Sequence, residues 1–154
     1  MTVAAALRKG GFLISKVHQL AGRVFARKLK EHGIHDLNPA QGRILFALWQ
    51  EDGVPIETLA RRTGLGPSTL TRMLDNLERA GHLAREASAT DRRKQIVRLT
   101  ETHHALRRSY DEVSGEMTDL FYQGFAGAEI DAFESYLERI LRNLAGEASA
   151  NKRI

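Results

Sequence analysis

Apolar residues recur at helical spacing along most of this chain, and the interruptions between them predict where each helix starts and stops. Phe12, Val17, Leu20, Val24 and Leu29 suggest a long amphipathic helix closed near Gly33. Asn38-Pro39-Ala40-Gln41 is a strong helix start, because Asn caps, Pro suits the first helical position and Gln at the third bonds back to the cap. Ile44, Leu45, Leu48 and Trp49 then follow at helical spacing, and Asp52-Gly53 predicts the stop. In PIETLARRTG, Ile56, Leu59 and Ala60 share one face and Gly64 supplies a left-handed C-terminal cap. After a turn of about three residues, LGPSTLTRMLDNLERAG carries an inward stripe of Leu70, Met73, Leu74 and Leu77 and ends at Gly81.

The period changes after Gly81. HLARE and QIVRL show partial alternation, with Leu83 and Ala87 facing one way and Val97 and Leu99 likewise, which predicts a β-hairpin whose tip is Ser88 to Lys94. Two short helices joined by a tight glycine-containing turn form a helix-turn-helix pattern, in which the second helix can be offered to the DNA major groove. A hairpin directly after it makes the arrangement winged, which is far more specific than either part. Thr100 can then cap a long helix through Leu106, Val113, Met117, Leu120 and Phe121. A final amphipathic helix carries Ile130, Phe133, Leu137, Ile140, Leu141 and Leu144 and ends near Gly146. The terminal helices offer more apolar surface than one small winged domain needs to cover, which suggests a dimer built from both chain ends; a broad monomer core is the competing reading.

Composition adds limits. The chain has 154 residues and no cysteine, which removes disulfides, thiolate metal sites, Cys nucleophiles and thiol redox sensing. In MTVAAALRKGGF the cations follow a short apolar run, and no later run approaches a membrane span, so a soluble cytoplasmic protein is expected. The net charge of +4 is unevenly placed. Val54 to Leu99 holds nine Lys/Arg against five Asp/Glu and Met1 to Leu37 seven against two, whereas Thr100 to Ile154 holds six against ten. Such polarity suits a polyanionic partner, though a basic helix is also commonly a solvated face.

With the leucine stripe inward, Ser68, Arg72, Asp75 and Arg79 lie on the opposite side of the second helix, flanked by Thr69, Thr71 and Asn76. Short hydroxyls at a helix N-terminus can meet phosphates or base edges. Arg72 is the residue best suited to a base, since arginine pairs bidentately with guanine. Asp75, one turn on, is placed to hold that guanidinium; a merely solvated Arg-Asp pair is the alternative. Asp91-Arg92-Arg93-Lys94 gains nothing for folding by gathering cations at a hairpin tip. Beside a major-groove helix, Arg92 or Arg93 would reach the neighbouring minor groove or its phosphates, with Asp91 bracing the tip, for example by pairing with an arginine of its own hairpin.

TLARRTGLGPSTLTRMLDNLERAGHLARE followed by DRRKQIVRLTE resembles the MarR family of winged-helix transcriptional regulators, specifically over Asn38 to Glu101 and more weakly toward both ends. The resemblance implies a mainly α fold with a small β-hairpin wing: a winged helix-turn-helix DNA-binding lobe (residues 38–100) on a helical dimerisation platform (residues 1–37 and 101–154). It implies a homodimer on double-stranded DNA at an inverted-repeat operator, usually as a repressor. In many members a small, often aromatic or phenolic, effector lowers DNA affinity. Carried over residue by residue, Ser68, Thr69, Thr71 and Arg72 fall on the recognition helix, and Asp91, Arg92 and Arg93 on the wing.

This chain departs from the family pattern at Thr102-His103-His104, where Lys-Gly often follows LTE, so side chains stand where a glycine would leave room. The adjacent histidines point about 100° apart and cannot readily share a metal, and His18, His32, His35 and His82 are scattered, so no metal or cofactor is expected. Catalysis is not expected either: G-x-S-x-G, H-E-x-x-H and a Walker loop are all missing, and Glu129, Asp131 and Glu134 read as the wet face of a helix. An architectural DNA binder without sequence preference is the alternative to a specific regulator.

Overall fold

The computed structural model describes residues 8–150 apart from Asp36, so the MTVAAAL stretch lies outside the described residues. Two compact units divide between Ser114 and Gly115. In the first, α1 (Gly10–Glu31) precedes α2 (Pro39–Gln50). β1 (Val54–Pro55), α3 (Ile56–Thr63), α4 (Pro67–Arg79), β2 (Leu83–Ala87) and β3 (Gln95–Leu99) follow. Helix α5 (Glu101–Phe121) runs from this unit into the second, which also holds α6 (Gly127–Ala150).

The helix boundaries follow from local chemistry. At the start of α2 the Gln41 N–H donates to Asn38 Oδ1 at 2.9 Å and the Asn38 N–H donates to Gln41 Oε1 at 3.0 Å, a reciprocal capping box. Gly64 closes α3 with φ +69°, a left-handed conformation that side chains resist, leaving three residues before α4. Gly81 (φ +86°) ends α4 in a Schellman motif, with the His82 N–H donating to Leu77 O at 2.9 Å and the Gly81 N–H to Glu78 O at 3.0 Å. Thr100 starts α5, accepting the His103 N–H on its hydroxyl at 3.2 Å while that hydroxyl donates to Gly81 O at 2.5 Å.

The hairpin pairs Leu83 with Leu99 and Ala87 with Gln95. It is joined by a strand the alternation did not reveal: β1 pairs antiparallel with β3, Val54 opposite Val97, giving the order β1-β3-β2. Two residues are too few to show a period of two, and Pro55 has no N–H for the ladder. Ala87 shares the inward face of Leu83 but is exposed, because the hairpin outruns the core there.

Leu29, Ile44, Leu45, Leu48, Leu59, Leu70, Leu74, Leu77, Leu83, Val97 and Val113 form the interior of this unit, while Met73 is only half-buried. Along α1 only Leu29 is buried; Phe12 is 67% and Leu20 48% exposed. In the second unit Phe121, Tyr122, Phe125 and Phe133 cluster, and the Tyr122 hydroxyl donates to Glu134 at 2.8 Å.

Two histidines belong to the core. His82 and His103 are buried, with their Nδ1 atoms 3.3 Å apart, so residues that look scattered along the chain meet across the fold. Burial first, then the electrostatic influence of the neighbouring His82, His104 and Arg107, pushes His103 from its ordinary 6.5 down to about 4, with Asp52 acting the other way. The unfolded chain therefore takes up a proton below 6.5 that the folded chain refuses until about 4. Stability contributed by the neutral ring is expected to be intact at pH 7.5 and to fall as pH drops through that window. Urea midpoints at pH 7.5, 6.0 and 5.0 check the sign, and a midpoint that rises on acidification would contradict it.

Candidate nucleic-acid interface

Ser68, Thr71 and Arg72 project from the first turns of α4 into solvent, and Thr69 is half-buried beside them. The α4 N-terminus carries no side-chain cap, since Gly66 occupies the capping position. Its first amides are therefore available to an anion. The Thr71 hydroxyl donates to Pro67 O at 2.9 Å, which commits its proton to the helix and leaves its oxygen to accept.

Asp75 does not hold Arg72. It accepts from Arg85 Nη2 at 2.5 Å, and Glu78 Oε1 accepts from the same nitrogen at 3.3 Å. The Glu78 carboxylate also takes the Arg85 backbone N–H at 3.1 Å. Arg85 lies on β2 opposite Val97, on the face that packs toward α4, and its side chain is 19% exposed. The hydrogen bonds to Glu78 and Asp75 raise the Arg85 pKa, and the same contact lowers that of Glu78. One strand arginine thus clamps the second helix to the wing and neutralises two of its carboxylates, leaving Arg72 without an acid partner among the described residues.

The sequence carried a signal for this clamp. Alternation puts Arg85 on the inward face between Leu83 and Ala87, and an arginine there requires a carboxylate. Arg85→Ala is expected to free Asp75 and Glu78 toward the DNA side and lower DNA affinity about fivefold, close to the 1 kcal/mol typical of such pairs. Partial recovery in Arg85→Lys, read by anisotropy alongside an unchanged circular dichroism spectrum, would separate positioning from unfolding.

The wing tip is stapled by its own backbone. The Ser88 N–H donates to Lys94 O at 2.9 Å and the Lys94 N–H to Asp91 O at 3.0 Å. Asp91 Oδ1 accepts the Arg93 backbone N–H at 3.0 Å, and Ser88 Oγ receives the N–H groups of Thr90 and Asp91. Asp91 therefore braces the tip through the main chain rather than through a guanidinium. Arg92 and Arg93 are exposed, with no ion pair among the described residues, whereas Lys94 lies 4.0 Å from Glu57. Arg98 on β3 pairs with Glu86 on β2, which stiffens the stem.

Among the described residues no three metal-ligating side chains gather, and no helix is long and apolar enough to cross a membrane. A small apolar pocket of about 260 Å³ opens beside α2, with Phe25, Arg43, Phe46, Trp49 and Tyr110 among its lining residues.

An uncapped second helix of a tight pair, tied by a strand arginine to a hairpin with a cationic tip, defines a winged helix-turn-helix protein. Residues 37–94 match the model of the MarR family. That match runs from the start of α2 to the wing tip and makes up well under half of the chain. TtmR, an HTH-type transcriptional regulator of Methylorubrum extorquens (strain PA1), is 33% identical over 90 residues, 58% of this chain and 45% of TtmR. The matched stretch thus spans less than half of that relative. The fold is shared with a cysteine-to-serine mutant of E. coli MarR complexed with operator DNA (22% identity, TM-score 0.76, covering 92% of this chain and 99% of that one). It is also shared with PcaV of Streptomyces coelicolor in complex with its natural ligand (23% identity, TM-score 0.75, covering 92% and 97%).

Proposed function

We propose that this protein is a sequence-specific DNA-binding transcriptional regulator of the cytoplasm, a homodimeric repressor that recognises an inverted-repeat operator and is released by a small aromatic or phenolic ligand. The observation that carries the reading is the joint presentation of Arg72 on α4 and Arg92 and Arg93 on a stapled wing, all three without acid partners among the described residues. Ser68, Thr69 and Thr71 meet phosphate or base edges at the helix start, Arg72 reads a base in the major groove, and Arg92 and Arg93 reach the adjacent minor groove or its phosphates. Asp91 holds the tip in shape for that contact.

Residues 38–100 serve as the DNA-binding lobe, and residues 1–37 and 101–154 as the dimerisation platform. Phe12, Leu13 and Val17 on α1 and Tyr136, Leu141 and Leu144 on α6 are all at least 46% exposed, apolar surface that a second copy would cover. For the ligand, the pocket beside α2 offers aromatic walls with one cation, Arg43, in its lining, a match for a planar ring bearing an acidic group. The family name, the regulator TtmR, and the DNA and ligand complexes of its structural relatives point the same way.

Fluorescence anisotropy on DNA from upstream of the protein's own gene, against a composition-matched scramble at physiological salt, tests the reading. Preference by about a thousandfold is expected of a specific regulator. Equal binding there, followed by no preferred site in a genome-wide selection, would replace it with an architectural role.

A further inference from the structure

The buried histidine pair is one part of a longer chain of polar contacts. Trp49 Nε1 lies 2.8 Å from His103 Nε2, the two Nδ1 atoms of His103 and His82 are 3.3 Å apart, and His82 Nε2 lies 3.4 Å from the Tyr110 hydroxyl. The rings also pack directly, with His103 stacked on Tyr110 at 5.2 Å between centroids and on Trp49 at 5.9 Å. The chain crosses the first unit from α2 to α5 to the turn that joins α4 to β2.

Hydrogen-bond chemistry fixes where the protons sit. An indole nitrogen only donates, so His103 Nε2 accepts, and a neutral His103 then carries its proton on Nδ1. That proton points at His82 Nδ1, which must be bare, so neutral His82 carries its proton on Nε2, facing Tyr110. The arrangement has room for one proton between the rings. A second proton on His82 Nδ1 would meet the His103 N–H, and one on His103 Nε2 would meet the Trp49 N–H. Either way two donors confront each other inside the core. Around His103, Arg107 on α5 adds positive potential and His104 acts in the same direction, while Asp52, in the turn after α2, opposes them.

His82 also joins the end of α4 to the root of the wing. Its N–H closes the C-terminus of α4 on Leu77 O, and its carbonyl accepts the Thr100 N–H at 3.1 Å, where β3 passes into α5. A shift of this residue alters the angle between the recognition helix and the root of the wing.

We propose that the Trp49–His103–His82–Tyr110 chain is a proton-operated latch: closed with both rings neutral, it holds α4 and the wing in their DNA-binding relation, and a proton taken up by either ring opens it and weakens DNA binding. The DNA half rests on the regulator reading above; the latch itself does not. Burial above all keeps His103 near 4 in the closed form, so the closed form excludes the proton and acid favours the open one.

Trp49 is the chain's single tryptophan, which makes the latch observable without DNA. Three readouts on the full chain are combined. Nitrogen-15 NMR of histidine-labelled protein at pH 7.5 is expected to show His103 protonated at Nδ1 and His82 at Nε2; the opposite tautomer in either ring overturns the proposal. Trp49 emission followed from pH 8.0 to 3.5 is expected to change in a step while far-ultraviolet circular dichroism stays constant, the folded His103 taking its proton near 4; a flat emission trace, or a step accompanied by loss of helix, overturns it. Affinity for the upstream duplex at constant ionic strength is expected to fall at least fivefold across the pH range of the Trp49 step, and an unchanged affinity despite that step overturns the coupling.

In Trp49→Phe the donor facing His103 Nε2 is gone, so the midpoint of acid weakening is expected to move to higher pH. A uniform loss at every pH without a midpoint shift would mark a merely structural role and overturn the proposal. If the wild type binds no DNA at any pH, the regulator reading fails, and the tautomers and the Trp49 titration decide the latch alone.

Discussion

Arg92→Ala combined with Arg93→Ala is expected to weaken DNA binding about tenfold or more on every sequence alike, whereas Arg72→Ala is expected to erase preference for one base pair. The difference follows from where the structure puts each guanidinium. The wing arginines sit on a tip held by Ser88, Asp91 and Lys94 main-chain contacts, so their removal leaves the tip's shape intact and deletes only charge. Charge of that kind meets phosphates or the minor groove and carries little base information. Arg72 extends from a helix whose inward stripe is Leu70, Leu74 and Leu77, and in the proposed role of bidentate reader its loss would cost about 1 to 3 kcal/mol of discrimination. Anisotropy with the operator and with a set of single-base variants separates the two patterns. Equal operator affinity for wild type and both variants would sink the wing and Arg72 assignments together.

The second large effect concerns assembly. Changing Leu137, Ile140 and Leu141 together to glutamine is expected to convert a dimer into a monomer in sedimentation velocity, with α-helical content retained. Leu141 is 64% and Ile140 40% exposed on α6, so their loss removes little from the interior of the chain while deleting surface suited to a partner. An inverted repeat is then read by one half-site at a time, and the apparent affinity is expected to drop by about a hundredfold or more as the linked second contact disappears. A wild-type protein that sediments as a monomer would remove the basis for this expectation.

What could be read from the sequence was what local chemistry controls. Asn38 and Gln41 sit three residues apart and form their capping box with each other, and Gly64 and Gly81 end helices by conformations their own residues adopt. The leucine stripe of α4 follows from helical period alone. What escaped were pairings decided across long stretches of chain. Val54 pairs with Val97 only because α3 and α4 fold back between them. Trp49 and His103 are 54 positions apart and His82 and His103 21 apart, separations at which periodicity is silent. Asp75 lies within one helical turn of Arg72, but it is Arg85, delivered by β2 from ten positions away, that takes it. A strand arginine reaching a partly buried carboxylate outcompetes a solvated neighbour on the same helix.

Because Asp91 spends its carboxylate on the Arg93 main chain, both tip guanidiniums are left without an ion pair among the described residues, and this sets how binding would respond to electrolyte. The proposed two-fold dimer would present four such arginines to a polyanion surrounded by condensed cations. Each phosphate they neutralise returns a cation to solution, so they add roughly −3.6 to the slope of log affinity against log salt. On that slope, a threefold rise in salt would cost the wings roughly fiftyfold in affinity. Grip by the wings would thus be governed by the mixing entropy of ions that the protein never touches.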